Sequence, residues 1–234
     1  MISRLVRIHR PGDVAISLSD DDPLVAGTST LESRWILSGP VADTTIVWFR
    51  RLPTSTETRE DTYLLTPWLD GLSLKIRAAA AFDVKAYRGS PGVLEVPGRA
   101  TGRLEAWQKW SFPLGVESER ADESATWRRV QKVRRITWFV APDGWFASPD
   151  GLDQRARCAV ELTDITMGGE AWWTLGLEAS GPSQERRSVL EAAAASVFSE
   201  PLPGGAELRL EDSRPYAAWL RQRRGGNLNR RKAT

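Results

Sequence analysis

The sequence predicts an α+β domain made chiefly of short antiparallel strands with a few flanking helices, and three observations lead there. From about residue 28 onward, segments rich in Trp, Val, Ile and Thr are separated by Gly, Pro and Asp punctuation. Within those segments charged residues recur at every second position opposite an apolar face, which is the period of a strand. Only two stretches carry helical composition.

Taken in order, residues 1 to 27 read as an extension, with a possible strand in LVRIHR and an acidic turn at Asp20, Asp21, Asp22 and Pro23. Strands are expected at 30 to 37, 44 to 50, 59 to 65, 72 to 77, 82 to 87 and 103 to 112, then at 134 to 141, 156 to 164 and 171 to 179. The stretch 115 to 133 is charged, lacks proline and begins acidic and ends basic, as a surface helix would in accord with its dipole. SQERRSVLEAAAASVF, 183 to 198, has the best helix composition, with Pro182 and Ser183 at its start. SRPYAAWL is expected to pack Tyr216 and Trp219 back on the body.

Composition narrows the chemistry. With 41% hydrophobic and 26% charged residues the 234-residue chain reads as one sizeable soluble domain with extensions, and no apolar run approaches the ~20 residues of a membrane span. The N-terminal segment breaks at Pro11 before a signal-type apolar run forms, so a cytoplasmic protein is expected. Cys158 is the only cysteine and His9 the only histidine. Intrachain disulfides, Cys/His zinc sites and a histidine-based triad in the folded body are thereby excluded, and any metal must be held by oxygen. Cys158, alternating with Arg157 and Ala159, reads as a small core residue. No GxxxxGKS loop, GxSxG elbow or Rossmann fingerprint is present.

The net charge of +2 has a local source. Residues 221 to 234 hold six of the 32 basic residues and no acid, leaving 26 basic against 30 acidic residues in the body. This tail reads as a basic disordered end, and any contact with nucleic acid is expected only through it.

The distribution of charge over strand faces is the most informative feature. Glu32 and Arg34 oppose Leu31, Ser33, Trp35 and Leu37; Lys75 and Arg77 share one face of LSLKIR, and Asp83 and Lys85 one face of FDVKAY. Arg103, Glu105, Trp107 and Lys109 alternate with Leu104, Ala106 and Trp110; Arg157 and Glu161 oppose Cys158, Val160 and Leu162; Glu178 opposes Leu177 and Ala179. A half-exposed antiparallel sheet with one solvated face produces such a pattern. So does a closed barrel whose apolar faces pack outward against helices around a charged lumen, for which eleven tryptophans would supply the outer layer. In the second arrangement the crowded lysines and arginines repel one another until a polyanion relieves them, and phosphate suits both the lysine point charge and the arginine fork. Glutamates among them would be free for a divalent cation, which takes one or two carboxylates and fills its shell with water and phosphate oxygens.

In this order the segments resemble the CYTH superfamily, the triphosphate tunnel metalloenzymes that include thiamine triphosphatases, inorganic triphosphatases and class IV adenylate cyclases. LESRWIL is similar to the family's Glu-x-Glu-x-Lys strand, REDTYLL to its Asp-x-Tyr strand, LSLKIR to the strand ending in a basic pair, and FDVKAY to the next strand with its single lysine. CAVELTDITMGGEAWWTLGLEA resembles the late acidic strand, turn and closing Glu-containing strand, and SRPYAAWL the family's ending. The match runs from about residue 28 to 220.

The resemblance implies an eight-stranded antiparallel tunnel over residues 28 to 220, binding a triphosphate-bearing small molecule or polyphosphate and hydrolysing it with Mg2+ or Mn2+. By position, Arg34, Lys75, Arg77, Lys85, Lys109 and Arg157 would contact phosphate; Glu32, Glu161 and Glu178 would hold metal, with Glu161 and Glu32 catalytic. In KVRRITW either Arg134 or Arg135 could face inward, and Arg135 is favoured because it alternates with Thr137, whereas Arg134 shares a face with Ile136 and Trp138. Asp83 is expected to position Lys85 or else to mark a strand turned differently. The chain departs from the pattern at Thr30, Arg34 and Gly176, where the family has Glu, Lys and often a second Glu. Fewer carboxylates weaken a two-metal reaction first, so the alternative is a module that binds nucleotide or polyphosphate with little catalysis.

Overall fold

A computed structural model describes residues 27–66, 71–114, 127–152 and 155–230, the last seven for their backbone only. The chain runs β1 (Thr28–Ser38), α1 (Asp43–Phe49), β2 (Ser55–Leu64), β3 (Leu72–Arg77), β4 (Ala81–Val96), β5 (Ala100–Pro113), β6 (Trp127–Val140) and β7 (Gly144–Phe146). It continues through β8 (Arg157–Met167), β9 (Glu170–Ser180), α2 (Arg186–Val197) and α3 (Tyr216–Arg230). The strands pair in the order β2-β3-β4-β5-β1-β9-β8-β6, and a β2–β6 ladder from Ser55↔Ile136 to Leu64↔Trp127 closes the circuit. Every one of these ladders is antiparallel, and β7 extends β6 outside the ring.

Alternation then sorts the side chains. Along β1, Leu31 and Trp35 point outward into a core with Leu104, Cys158, Val160, Leu162, Leu175 and Leu177, which α2 covers with Val189, Leu190, Ala193 and Val197. Over β1, β8 and β9 the apolar face is therefore covered by helix and the charged face turned inward, and the solvated-sheet alternative is set aside. Trp35 anchors this outer layer, edge-on to Phe198 at 6.1 Å and donating its indole N–H to the Thr101 carbonyl at 2.8 Å. Gly102 makes room for it, since a Cβ there would stand 2.4 Å from the indole ring.

A second cluster closes one end of the barrel. Tyr216, Trp219 and Leu220 of α3 pack on Ile36, Tyr63, Ile165 and Trp172. The Trp172–Trp219 and Tyr63–Tyr216 ring centroids are both 5.3 Å apart. No helix among the described residues is long and apolar enough to cross a membrane.

Three expectations are corrected. Residues 44 to 50 form α1 and not a strand: Thr45, Trp48 and Phe49 are buried at helical spacing, Asp43 sits in the first turn, and Trp48 stacks on Phe198 at 6.3 Å. The helix expected over 115 to 133 is replaced by strand from Trp127; β2 and β8 both pair with this segment, and those ladders override its helical composition. Residues 115–126 lie outside the described residues, as does the possible strand near the N-terminus. From residue 221 to Arg230 the chain continues α3, where the sequence reads as a disordered tail.

Candidate functional site: an ionic tunnel closed at one end

The inward face of the barrel encloses a cavity of about 460 Å³, within the usual range for small-molecule sites. Tyr216 and Ala217 of α3 form its floor. Toward the other end exposure rises, the Glu57 and Arg77 side chains being 45% and 38% exposed.

Six strands supply its cations. Arg34 comes from β1 and Arg59 from β2; Lys75 and Arg77 come from β3, Lys85 from β4 and Lys109 from β5. Lys132 and Arg134 come from β6. Acids on the same wall are Glu32, Glu57, Asp83, Glu105, Glu161 and Glu178, so most of the positive charge is already matched.

Near the floor the cations gather on Asp61, which is fully buried on β2. Lys132 Nζ donates to Asp61 at 2.8 Å and to the Tyr63 hydroxyl at 2.6 Å, and lies 4.6 Å from the Tyr216 ring centroid. Lys75 and Arg59 reach the same carboxylate at 3.3 and 3.2 Å. Burial opposes the charge on Asp61, but Lys132, Lys75 and Arg59 hold its carboxyl well below the usual range. For the lysines desolvation wins over the pull of Asp61, bringing Lys75 down to about 8 and Lys132 to about 7. Asp83 completes this region, meeting Arg77 Nε at 3.0 Å, Lys75 at 3.5 Å and the Ser111 hydroxyl at 2.6 Å. It therefore supports the β3 cations and not Lys85.

A second centre follows from register. Glu105, Glu32 and Glu178 stand opposite one another across β5, β1 and β9. Lys85 bridges two of them, 2.5 Å from Glu32 and 3.3 Å from Glu178. Burial works against the Lys85 ammonium, yet Glu178 and Glu32 raise it above the ordinary lysine value. Thr30 donates to Glu32 at 2.6 Å, so its hydroxyl orients that carboxylate. Glu105 accepts from the Trp107 indole at 3.1 Å, and burial pushes its carboxyl up to about 7.

Glu161 forms the third centre. It accepts from Arg134 and, at 2.6 Å, from Thr163, and lies 3.5 Å from Arg34. Despite burial, Arg134 and Arg34 hold its carboxyl well below the usual range. Arg134 also bonds Glu57, linking β8 to β2 over the intervening β6.

Of the residues expected from the sequence, Glu32, Arg34, Lys75, Arg77, Lys85 and Lys109 line the cavity together with Glu161 and Glu178. Arg135 does not: it points out of the barrel and donates to Asp164 at 2.7 Å, while Arg134 takes the inward position. The preference for Arg135 assumed a uniformly polar lumen, but Ile136 and Trp138 also face inward. Arg157 has lumen parity at the end of β8, outside the cavity lining, with its guanidinium carbon 5.6 Å from the Trp138 ring centroid. Arg59, Asp61, Lys132 and Glu105 went unnoticed as site residues. Asp61 opens the Asp-x-Tyr segment and Arg59 precedes it at period two, which is the available signal, whereas Lys132 sits in a segment that reads as helix.

The donor set bears on a metal in a graded way. Glu32 and Glu178 offer hard carboxylate oxygens from paired positions, which suits Mg2+ or Mn2+ completed by water and phosphate. Glu161 has its oxygens committed to guanidiniums and a hydroxyl, and among the described residues no three acidic, Cys or His side chains converge as a metal cluster.

A closed eight-stranded antiparallel tunnel lined with cations is the architecture that the resemblance to the triphosphate tunnel proteins implied. No family model matches the chain, and no curated protein matches it. Among solved structures it is similar to a conserved hypothetical protein from Pyrococcus furiosus, at 14% identity over 80% of this chain and 98% of that one, with a TM-score of 0.43. It is similar to an RNA triphosphatase from S. pombe at 10% identity over 74% and 79%, TM-score 0.36, and to a mimivirus capping enzyme triphosphatase at 7% over 74% and 90%, TM-score 0.38. At these values the reading of the site rests on this chain's own residues.

Proposed function

We propose that the tunnel binds a triphosphate-bearing small molecule and hydrolyses it with the help of a divalent cation. The observation that carries this reading is the convergence of cations from six different strands on one cavity closed at its inner end. Such a lumen is preorganised for phosphate oxygens, and phosphoryl transfer asks the protein mainly for positioning and charge neutralisation.

Lys75, Lys132 and Arg59 would take the phosphate oxygens nearest the floor, with Asp61 keeping them in place as the anion arrives. Arg34 from β1 and Arg134 from β6, fixed by Glu161, would take further phosphate oxygens, which makes Glu161 a positioning residue. Lys85 would turn from Glu32 and Glu178 to the phosphate chain, releasing both carboxylates for Mg2+ or Mn2+. Bound there, the ion would offset phosphate charge and acidify a coordinated water. Glu32, oriented by Thr30, would orient the attacking water.

Binding without efficient hydrolysis is the second reading, favoured by the Lys85 ammonium sitting between the two candidate metal ligands. The test is phosphate release from tripolyphosphate, ATP and thiamine triphosphate with Mg2+ or Mn2+, beside a Glu32→Gln control. Release that depends on the cation and drops at least tenfold in the control supports hydrolysis. Tight binding with no release above the control leaves the binding reading, and neither binding nor release overturns both.

A further inference from the structure

The cavity wall changes character toward its open end, and it does so on one side only. Along β6 the inward side chains run Lys132, Arg134, Ile136, Trp138, from ionic to apolar. A strand rises ~3.3 Å per residue, so Ile136 and Trp138 stand ~7 and ~13 Å beyond Arg134. Ala159, directly paired with Trp138 on β8, and Pro149 from the preceding connection complete this ledge. Across the lumen the corresponding depth of β3 to β5 carries Arg77, Lys109 and Ser111, with Arg77 the more exposed of its cation pair.

An apolar wall facing a cationic one is poorly matched to a bare polyphosphate, whose charge would then lie along Trp138 and Ile136. It is well matched to an ester in which charge and ring are at opposite ends. Resting on the reading of the tunnel as a triphosphate site, we propose that its ligand carries a planar organic ring which lies against Trp138, Ile136 and Pro149 while its phosphates occupy the cationic interior. The ligand class is thus a triphosphate ester of a heterocycle-bearing alcohol, such as a nucleoside or thiamine triphosphate, and not inorganic triphosphate.

The Trp138 ring is partly exposed and lines the cavity, and the Arg157 guanidinium lies beside it. Stacking of a base on an aromatic side chain is sequence-tolerant, so this surface selects for a ring without naming one. It also accounts for the inward orientation of Ile136 and Trp138 toward the open end. Among the described residues, the α3 side chains Tyr216, Trp219 and Leu220 pack at the other end.

The test is calorimetric titration of the full chain with tripolyphosphate and with whichever of ATP and thiamine triphosphate the wild type binds more tightly, using wild type, Trp138→Ala and Trp138→Phe. Trp138→Ala should weaken the ring-bearing ester roughly tenfold or more and leave tripolyphosphate within twofold. Trp138→Phe should restore most of the ester affinity and serves if the alanine variant does not fold. Equal loss for both ligands, or no loss for either, overturns the ring ledge. So does a wild type that binds tripolyphosphate and neither ester. A wild type that binds none of the three overturns the underlying triphosphate reading as well.

Discussion

Arg34 lies flat across Gly176: a Cβ added to the glycine would stand 2.8 Å from the guanidinium carbon. Residue 176 is thus a gap filled by an arginine, held also by the Thr174 hydroxyl at 3.2 Å and by Glu161. The absence of a side chain at residue 176 and the placement of Arg34 are one structural event.

Gly176→Ala tests that event. The methyl group meets the end of a flexible side chain, so stability should change by about 1 kcal/mol or less. Arg34 must leave its place, and tripolyphosphate affinity should fall about tenfold, the order expected for one charge-assisted hydrogen bond. Unchanged affinity by calorimetry would show that Arg34 does not need the gap.

Lys85 separates Glu32 from Glu178, and its removal should expose them as a cation site. Lys85→Met leaves two acids facing each other uncompensated, which lowers the melting temperature in chelator. Mg2+ or Mn2+ should then raise that temperature by several degrees more than it does for wild type. An identical response in the two proteins would remove Glu32 and Glu178 as metal ligands.

Between about pH 7 and 9 stability and anion affinity should move in opposite directions. Burial lowers Lys132 to about 7 and Lys75 to about 8 in the folded protein, below the ~10.4 of an unfolded lysine. The unfolded chain therefore binds more protons in this window, and stability from these two groups rises with pH. Anion affinity falls in the same interval as the ammonium charges are lost, and binding at pH 8 takes up protons. Calorimetry in buffers of different ionisation heat measures that uptake; Lys132→Met should reduce it, and its absence in wild type would contradict the assignment.

Neighbouring arginines on β6 should have separable roles. Arg134→Ala should weaken tripolyphosphate at least tenfold. Arg135→Ala should leave affinity within twofold and lower stability only, through loss of its bond to the Asp164 carboxylate on the outer face. Equal effects on affinity would mean that the inward and outward assignments fail.

What was legible in the chain follows from where the signal was local. Strands with one apolar and one charged face, such as Leu72–Arg77, declare their period in six residues. β6 conceals it, because Arg129 and Arg135 place charge on the outer face while Ile136 and Trp138 place apolar groups on the inner one. The segment reads as helix until two neighbouring strands pair with it. α1 was misread for the opposite reason: Thr, Ile and Val favour strand, but the burial of Thr45, Trp48 and Phe49 follows a helical period. For the site, residue identity and parity were readable, since both come from alternation. Contacts that depend on barrel closure were not, among them Lys132 with Asp61 and Arg134 with both Glu57 and Glu161.

The inward cations are proposed to act together as one triphosphate site. Titration of tripolyphosphate into the full chain, with wild type compared against the double variant Lys75→Ala/Arg134→Ala and against Arg135→Ala, tests it most directly. One bound anion per chain is expected in wild type and in Arg135→Ala, with binding weakened a hundredfold or more in the double variant. No binding to the wild type, or equal binding to all three proteins, would contradict it.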